Sequence, residues 1–159
     1  MNVEIQREHQ WLQKLVGEWT FENECVMGPD QPPMKAVGTD SVRSLGGVWV
    51  LCEGRCEMPS GGPMMSIMTL GYDPARKRFV GTFIASVMTF LWIYDGGLTG
   101  DTLTLDADGP SFTGDGKLVK YQDIIEIKSD DHRTLTSQSL GADGKWHRFM
   151  TVNYRRKSA

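Results

Sequence analysis

The chain has 159 residues, of which 40% are hydrophobic, 23% charged and 9% aromatic. This composition is typical of a globular protein with a real apolar core, and it excludes a disordered or fibrous chain. The formal net charge of −3 gives no reason to expect nucleic acid or an anionic membrane surface as a partner. At this length we expect one domain, covering residues 1–159.

The N-terminal residues contain no apolar run of the kind found in secretory signals. No segment approaches the roughly 18 consecutive apolar residues that a membrane helix needs. The sequence therefore predicts a cytoplasmic protein without a membrane partner.

One segment, residues 5–16, has helical periodicity. At 100° per residue its apolar side chains, among them Trp11, Leu12 and Leu15, fall within one arc, and glutamine and lysine side chains fall opposite. Gly17 follows this segment and is expected to end the helix.

Beyond Gly17 the chain alternates between short runs rich in Val, Ile, Thr and aromatic residues and turns rich in Gly, Pro and Asp. Turns at such close spacing favour antiparallel, up-and-down connections. The runs predict ten strands, at residues 18–27, 36–45, 48–58, 64–72, 78–86, 90–95, 102–106, 119–128, 133–140 and 145–155.

Ten antiparallel strands in one sheet would twist strongly and curl, and closing the sheet would remove its exposed edges. The predicted fold is therefore all-β: a closed antiparallel up-and-down barrel of about eight to ten strands, with the short N-terminal helix capping one end. A barrel of this size leaves room inside for a small ligand.

The Gly46-Gly47 pair predicts the register of one hairpin. If the two glycines form a two-residue turn, Trp49, Leu51 and Glu53 lie on one strand face. The predicted opposing pairs are Ser44 with Trp49, Val42 with Leu51, and Asp40 with Glu53.

A second hairpin turns at residues 141–144. If these four residues form the turn, Arg148, Met150 and Tyr154 share a sheet face with Ser137. The predicted opposing pairs are Ser137 with Arg148, Leu135 with Met150, and Gln138 with His147.

Gly17-Glu18-Trp19 opens the first predicted strand and resembles the Gly-x-Trp start of the calycins, the group that contains lipocalins and fatty-acid-binding proteins. In lipocalins an arginine from the end of the last strand packs on that tryptophan. The resemblance therefore implies that Arg155 or Arg156 packs on Trp19.

Further motifs are spread over nearly the whole chain. They are Glu8-His9-x-Trp11-Leu12, Leu15-Val16-Gly17-Glu18-Trp19, Gly38-Thr39 with Arg43-Ser44-Leu45-Gly46-Gly47, Thr69-Leu70-Gly71-Tyr72-Asp73-Pro74, Leu91-Trp92-Ile93-Tyr94, and Phe149-Met150 with Tyr154-Arg155-Arg156. Together they resemble an uncharacterised bacterial family of unknown function. That resemblance implies a lipocalin-like barrel and brings no activity with it.

Aromatic and methionine side chains recur at alternating positions of several predicted strands. One interpretation is that they pack the barrel core; the other is that they line a cavity for an apolar small molecule. Methionine adds flexible apolar surface in either case. The residues are Trp19, Phe21, Trp49, Trp92, Tyr94, Tyr121, Trp146 and Tyr154, with Met64, Met65, Met68 and Met88.

Charged residues share strand faces with these side chains. If those faces point inward, Glu53, Asp123 and Arg148 become buried charges that need a partner or a ligand. If the faces point outward, the same residues are ordinary solvated surface. The predicted cavity residues are Trp19, Phe21, Trp49, Leu51, Glu53, Trp92, Tyr94, Tyr121, Asp123, Arg148 and Met150.

The three cysteines are Cys25, Cys52 and Cys56. Cys52 and Cys56 would lie on one strand face about 13 Å apart, at ~3.3 Å per residue. That separation is too great for one zinc ion or for a disulfide. We expect unreactive, half-buried thiols.

The three histidines, His9, His132 and His147, are scattered along the chain. His147 lies on the last predicted strand, where some haem-binding barrels of the calycin type carry an axial ligand. A single histidine supports haem binding poorly. We therefore predict neither a metal nor a cofactor.

Three functions are open at this point. The leading hypothesis is binding of a small apolar molecule in the barrel, with an arginine–carboxylate set holding a polar group. The alternative is an enzyme acting on a small carbonyl-containing substrate, with Glu53 or Asp123 as general base, because burial raises a carboxyl pKa towards neutrality. A third hypothesis is an interaction module or homo-oligomer whose barrel is filled by side chains.

Overall fold

The computed structural model describes residues 1–26, 28 and 30–158. Within them one antiparallel sheet of ten strands closes into a barrel, because the last strand pairs with the first. A single short helix precedes the strands. The elements are α1 (Arg7–Gln13), β1 (Gly17–Cys25), β2 (Met34–Leu45), β3 (Trp49–Glu57), β4 (Pro63–Asp73), β5 (Arg78–Ala85), β6 (Trp92–Thr99), β7 (Thr102–Pro110), β8 (Leu118–Ser129), β9 (His132–Leu140) and β10 (Trp146–Arg156).

The architecture is the predicted one: all-β, closed, antiparallel and up-and-down, with an N-terminal helix. Each strand pairs with its neighbours in the sequence, and the burial pattern alternates along most strands, as expected for a barrel with one face inside. The predicted strand 18–27 ends at Met27, which lies outside the described residues. No helix in the described ranges is long and apolar enough to cross a membrane.

The helix is shorter than the predicted 5–16. At its start, the backbone N–H of Gln6 donates to Nδ1 of His9 at 2.9 Å. After Gln13 the chain tightens, because the next amides bond three residues back instead of four, as in Leu15 N–H to Leu12 O at 3.0 Å. The helix therefore ends one turn before Gly17.

Strands β6 and β7 are longer than the predicted 90–95 and 102–106. The prediction took Gly96 and Gly109 as turn residues, but both lie within strands. A Cβ at Gly96 would collide with the backbone of β7, and one at Gly109 would collide with the ring of Trp92. These glycines mark close approaches inside the barrel wall, which is a common reason for glycine within a strand.

The predicted register of the first hairpin is wrong by one residue. Leu45 pairs with Trp49, so the turn contains three residues, with Gly46 and Gly47 at φ of 66° and 77° and Val48 behind them. A shift of one residue turns every side chain to the opposite face of the sheet. Val50, Cys52 and Cys56 consequently point into the barrel, and Trp49, Leu51 and Glu53 point outward.

The register of the second hairpin is also different. Arg148 pairs with Gln138 instead of Ser137, because the turn is one residue longer than predicted. A β-bulge at Phe149 then brings Met150 opposite Ser137, on the inward face. Met150 points inward, as predicted. Arg148 was also predicted to point inward, but it is exposed on the outer face.

The helix and the last strand close one end of the barrel around Trp19, which is 1% exposed. Its indole N–H donates to the carbonyl of Leu15 at 2.9 Å. The Arg156 guanidinium lies over the ring, 4.2 Å from its centroid, and donates to Val16 O at 2.7 Å. The predicted arginine–Trp19 contact is thus confirmed for Arg156.

Candidate functional site

The barrel encloses a cavity of about 530 Å³. It extends from Leu15, beside the helix, to the loops at the opposite end, including Phe90 and Phe112. Its walls are mainly apolar. The large apolar side chains of the lining are Phe21, Met64, Met68, Phe83, Met88, Phe90, Trp92, Phe112, Phe149 and Met150.

Aromatic rings in mutual edge-to-face contact form the wall near the loop end of the cavity. Trp92 contacts Tyr121 with ring centroids 4.9 Å apart, and Phe112 contacts Phe149 at the same separation. Phe112 also contacts Tyr121 at 5.8 Å. The Tyr121 hydroxyl donates to the carbonyl of Pro110 at 2.5 Å. Each such ring pair contributes ~0.5–1.5 kcal/mol to stability beyond the burial of its apolar area, so these contacts fix the positions of the rings.

An ion pair lies at the end of the cavity nearest the helix. Nη2 of Arg133 donates to Oδ2 of Asp40 at 2.6 Å, and the two side chains are only 4% and 7% exposed. The guanidinium also lies 3.8 Å from the centroid of the Tyr154 ring and 4.8 Å from that of Trp19. Burial raises the pKa of Asp40, and Arg133 opposes that rise.

A second carboxyl group faces the same cavity from β8. Asp123 accepts hydrogen bonds from the Tyr94 hydroxyl and, at 2.5 Å, from the Ser137 hydroxyl. Burial raises the pKa of Asp123, and the two hydroxyl donors only partly offset this effect. Burial and the neighbouring Asp123 also raise the pKa of Tyr94 well above its ordinary value.

Protein surrounds the carboxyl group of Asp123, yet the residue is only half-buried. Its remaining accessible surface faces the cavity, which Asp123 lines. Tyr154 also lines the cavity, and burial raises the pKa of its hydroxyl; Arg133 opposes that rise, and the negative charges of Asp40 and Asp123 add to it. We call Asp40, Arg133, Asp123, Tyr94, Ser137 and Tyr154 the polar floor.

The structure places six of the predicted cavity residues in the lining: Phe21, Trp92, Tyr94, Tyr121, Asp123 and Met150. Trp19 is also inside the barrel, but it packs between arginines below the cavity. A role of these residues in binding stays a prediction.

The other four predicted residues lie on the outside. Trp49 is 40% exposed and covers Gly71 on the outer face. Leu51 shares that face, and Glu53 lies 3.5 Å from Nη2 of Arg43, with its side chain 42% exposed. Arg148 is exposed ahead of the bulge on β10. The prediction that these four residues line the cavity is wrong, because both turns are one residue longer than assumed.

Sequence reasoning missed Arg133 altogether. Its partner Asp40 is 93 positions away, and their strands are separated in the sheet by β1 and β10. Alternation along β9 could have found it, because Arg133, Leu135 and Ser137 are all buried on one face.

The histidines and cysteines do not form a metal site. His9 is buried and donates to the carbonyl of Tyr72 at 3.0 Å, and the exposed His147 at the start of β10 pairs with Asp143 of the preceding turn. No group of three or more potential metal ligands occurs in the described part of the chain. Burial raises the pKa of the Cys52 thiol to about 12.

Residues 4–156 match the model of the family "Protein of unknown function (DUF1579)", and the chain belongs to that family. No curated protein matches the sequence.

Several solved structures share the fold at low sequence identity. The crystal structure of Rv2717c from M. tuberculosis is 14% identical, with a TM-score of 0.66, and the match covers 98% of this chain and all of that one. EF1p2_mFAP2b bound to DFHBI is 14% identical with a TM-score of 0.52, covering 94% and 98%. A de novo designed fluorescence-activating β-barrel is 13% identical with a TM-score of 0.52, covering 93% and 98%. At these identities the matches establish the barrel fold.

Proposed function

We propose that this member of the DUF1579 family binds a small, largely apolar molecule inside its barrel. The observation that carries the proposal is a cavity of about 530 Å³ with apolar walls and a polar floor. This volume lies within the ~300–1,000 Å³ usual for small-molecule sites. A barrel that served only as a stable scaffold would be filled by side chains, and this one is not.

The cavity also suggests how a ligand is oriented. Aromatic and methionine side chains surround the loop end, and Asp40, Arg133 and Asp123 occupy the deeper part. An apolar body gains most by contact with the wall, and a hydrogen-bonding group gains most at the floor. The ligand therefore enters with its polar group first. EF1p2_mFAP2b, which shares the fold, is bound to DFHBI, and this supports binding of a small molecule by such a barrel.

A binding assay with the apolar dye N-phenyl-1-naphthylamine tests this proposal. Ser66 faces the cavity, and Ser66→Phe would place a ring in the space. Ile67→Phe adds a ring at the neighbouring position on the outside of the same strand, where Ile67 is 38% exposed. We expect the dye to bind the wild type and Ile67→Phe equally, and to bind Ser66→Phe at least about tenfold more weakly, a change of ~1.4 kcal/mol.

Thermal unfolding of both variants serves as the control, because extra volume in a packed wall costs ~1–3 kcal/mol. A folded Ser66→Phe variant that binds the dye as tightly as the wild type would contradict binding inside the barrel. Native mass spectrometry of the purified protein complements this assay by detecting a small molecule that remains bound.

Asp123 also supports a second candidate function, an enzyme acting on a small carbonyl-containing substrate. A carboxyl group with a raised pKa that faces a cavity is suited to act as a general base. Glu53, the other base considered from the sequence, is excluded from this role by its outward position. Turnover abolished by Asp123→Asn, with dye binding retained, would favour the enzyme over the binding protein.

The remaining expectations from the sequence belong to the same proposal. We propose one domain over residues 1–159 that works in the bacterial cytoplasm without nucleic acid or membrane as a partner. A homo-oligomer is compatible with this function, and sedimentation of the purified protein measures it directly.

A further inference from the structure

The polar floor contains more acidic than basic groups. It holds two carboxyl groups, Asp40 and Asp123, and one guanidinium, that of Arg133. The charge of Arg133 is already compensated by Asp40 at 2.6 Å, and its guanidinium is packed against the rings of Trp19 and Tyr154. Its Nε is sealed within the protein and has no partner among the described residues, so a ligand does not reach it.

Asp123 has no such counter-charge. Its partners are the hydroxyls of Tyr94 and Ser137, and no lysine, arginine or histidine of the described chain forms an ion pair with it. The two hydroxyls hold the carboxyl group in a fixed orientation and leave part of its surface open to the cavity. An ionised carboxylate enclosed by protein without a cation is costly, so burial favours the protonated form until a ligand supplies a counter-charge.

Resting on the proposed function, we propose that the ligand is an apolar molecule that carries a positively charged amine, and that this amine pairs with Asp123 at the polar floor. A protonated amine supplies the missing counter-charge and up to three hydrogen-bond donors. A ligand carboxylate would meet the opposite situation, because Asp123 repels it and Arg133 is already occupied by Asp40.

Three probes with the same aromatic body test this inference: 2-(1-naphthyl)ethylamine, 2-(1-naphthyl)ethanol and the anion 1-naphthaleneacetate. At pH 7 they carry a positive charge, no charge and a negative charge, respectively. We expect calorimetry to show that the amine binds at least about tenfold more tightly than the alcohol, since charge-assisted hydrogen bonds are roughly twice as strong as neutral ones. The carboxylate is expected to bind most weakly.

The variant Asp123→Asn is expected to remove the advantage of the amine over the alcohol. Asp108→Asn is the matched control, because it changes the net charge equally on the outside of β7, where the Asp108 side chain is 63% exposed. That control is expected to keep the advantage. Equal loss in both variants would overturn the assignment to Asp123.

A measurement on the wild-type protein avoids any effect of the substitution on folding. The amine should lose its advantage as the pH falls through the pKa of Asp123, because a protonated carboxyl group no longer attracts a cation. The naphthyl amine itself stays protonated over this range. The other titratable or charged groups that face this part of the cavity are Tyr94, Tyr154, Arg133, Asp40 and Cys52, and β7 presents only apolar side chains there.

The outcomes separate the two proposals. If the alcohol or the carboxylate binds as tightly as the amine, or the amine's advantage does not depend on pH, the amine assignment is overturned and binding in the cavity stands. If none of the three probes binds and the dye also fails to bind, both proposals are overturned.

Discussion

Replacing Arg133 by methionine should be among the most destabilising single substitutions in this chain. The change keeps an unbranched side chain of similar length and removes the charge. It leaves Asp40, which is 5% exposed, without the guanidinium that donates to it at 2.6 Å. It also removes the contacts of Arg133 with the rings of Tyr154 and Trp19.

The expected loss of unfolding free energy is about 3–5 kcal/mol, the usual effect of removing one partner from a buried ion pair. A protein of this size typically has ~5–15 kcal/mol in total. At roughly 2–4 °C per kcal/mol, the melting temperature should fall by roughly 6–20 °C. Urea unfolding of both proteins, monitored by tryptophan fluorescence, measures the difference.

The loss should depend on pH in a defined direction. The Asp40 pKa is already raised by burial, and Arg133 is the group that lowers it. Without Arg133 the folded-state pKa rises further above the unfolded value of 3.8. Stability is then lost as the pH rises through the interval between these two values, so Arg133→Met should cost less at pH 4 than at pH 7.

The double variant Asp40→Leu/Arg133→Met separates the lost ion pair from simple loss of packing. Apolar replacement of both partners is often neutral, so the double variant should be more stable than Arg133→Met alone. If Arg133→Met costs less than about 1 kcal/mol, or if the double variant is no better than the single one, the ion pair does not have the role assigned to it.

Three further predictions follow from the face assignments and burial. Glu53→Gln should leave dye affinity and the melting temperature within error of the wild type, because Glu53 is on the outer surface; a tenfold weaker dye affinity would restore it to the site. Gly109→Ala should displace the Trp92 ring, shift tryptophan emission and cost ~1–3 kcal/mol in urea unfolding; unchanged emission and stability would show that the wall is not packed as described. Cys52, with its pKa raised to about 12, should resist iodoacetamide at pH 8 in the native protein, and rapid labelling detected by mass spectrometry would contradict its burial.

The strand order and the closure of the barrel could be predicted from the sequence, because they depend on repeated strand-like runs and turns. Ten runs separated by frequent turns leave up-and-down pairing as the simplest arrangement, and the structure has that arrangement. The contact between Trp19 and Arg156 was accessible for another reason: the Gly-x-Trp start and a basic last strand form a recognisable pair of signals.

The strand face that points inward was harder to predict from the sequence, because it depends on the length of each turn. Gly46 and Gly47 both have positive φ, as a two-residue turn would require, yet Val48 also belongs to the turn. That single residue decides whether Glu53 or Cys52 points inward. Apolar residues also alternate at Val48, Val50 and Cys52 along the sequence, and the structure buries Val50 and Cys52.

Only part of the polar floor could be predicted from the sequence. Asp123 could be placed inside because Tyr121, two residues earlier, is a large aromatic residue on the same strand face. The pairing of Asp40 with Arg133 was hidden, since it depends on the curvature that brings non-neighbouring strands together across the interior. Curvature is a property of the closed sheet, and no local pattern in the sequence records it.

The cost of the polar floor is an argument for a ligand. The buried core of the barrel is mainly apolar, and apolar residues at the floor would avoid the desolvation of Asp40, Arg133 and Asp123. Closure does not require these charges, since the sheet is already joined by backbone hydrogen bonds around its circumference. A purely structural cluster would also be sealed by packing, whereas Asp123 faces open volume. Departures from local rules that the fold does not require are expected at functional sites, and this one lies where a bound molecule would place its polar group.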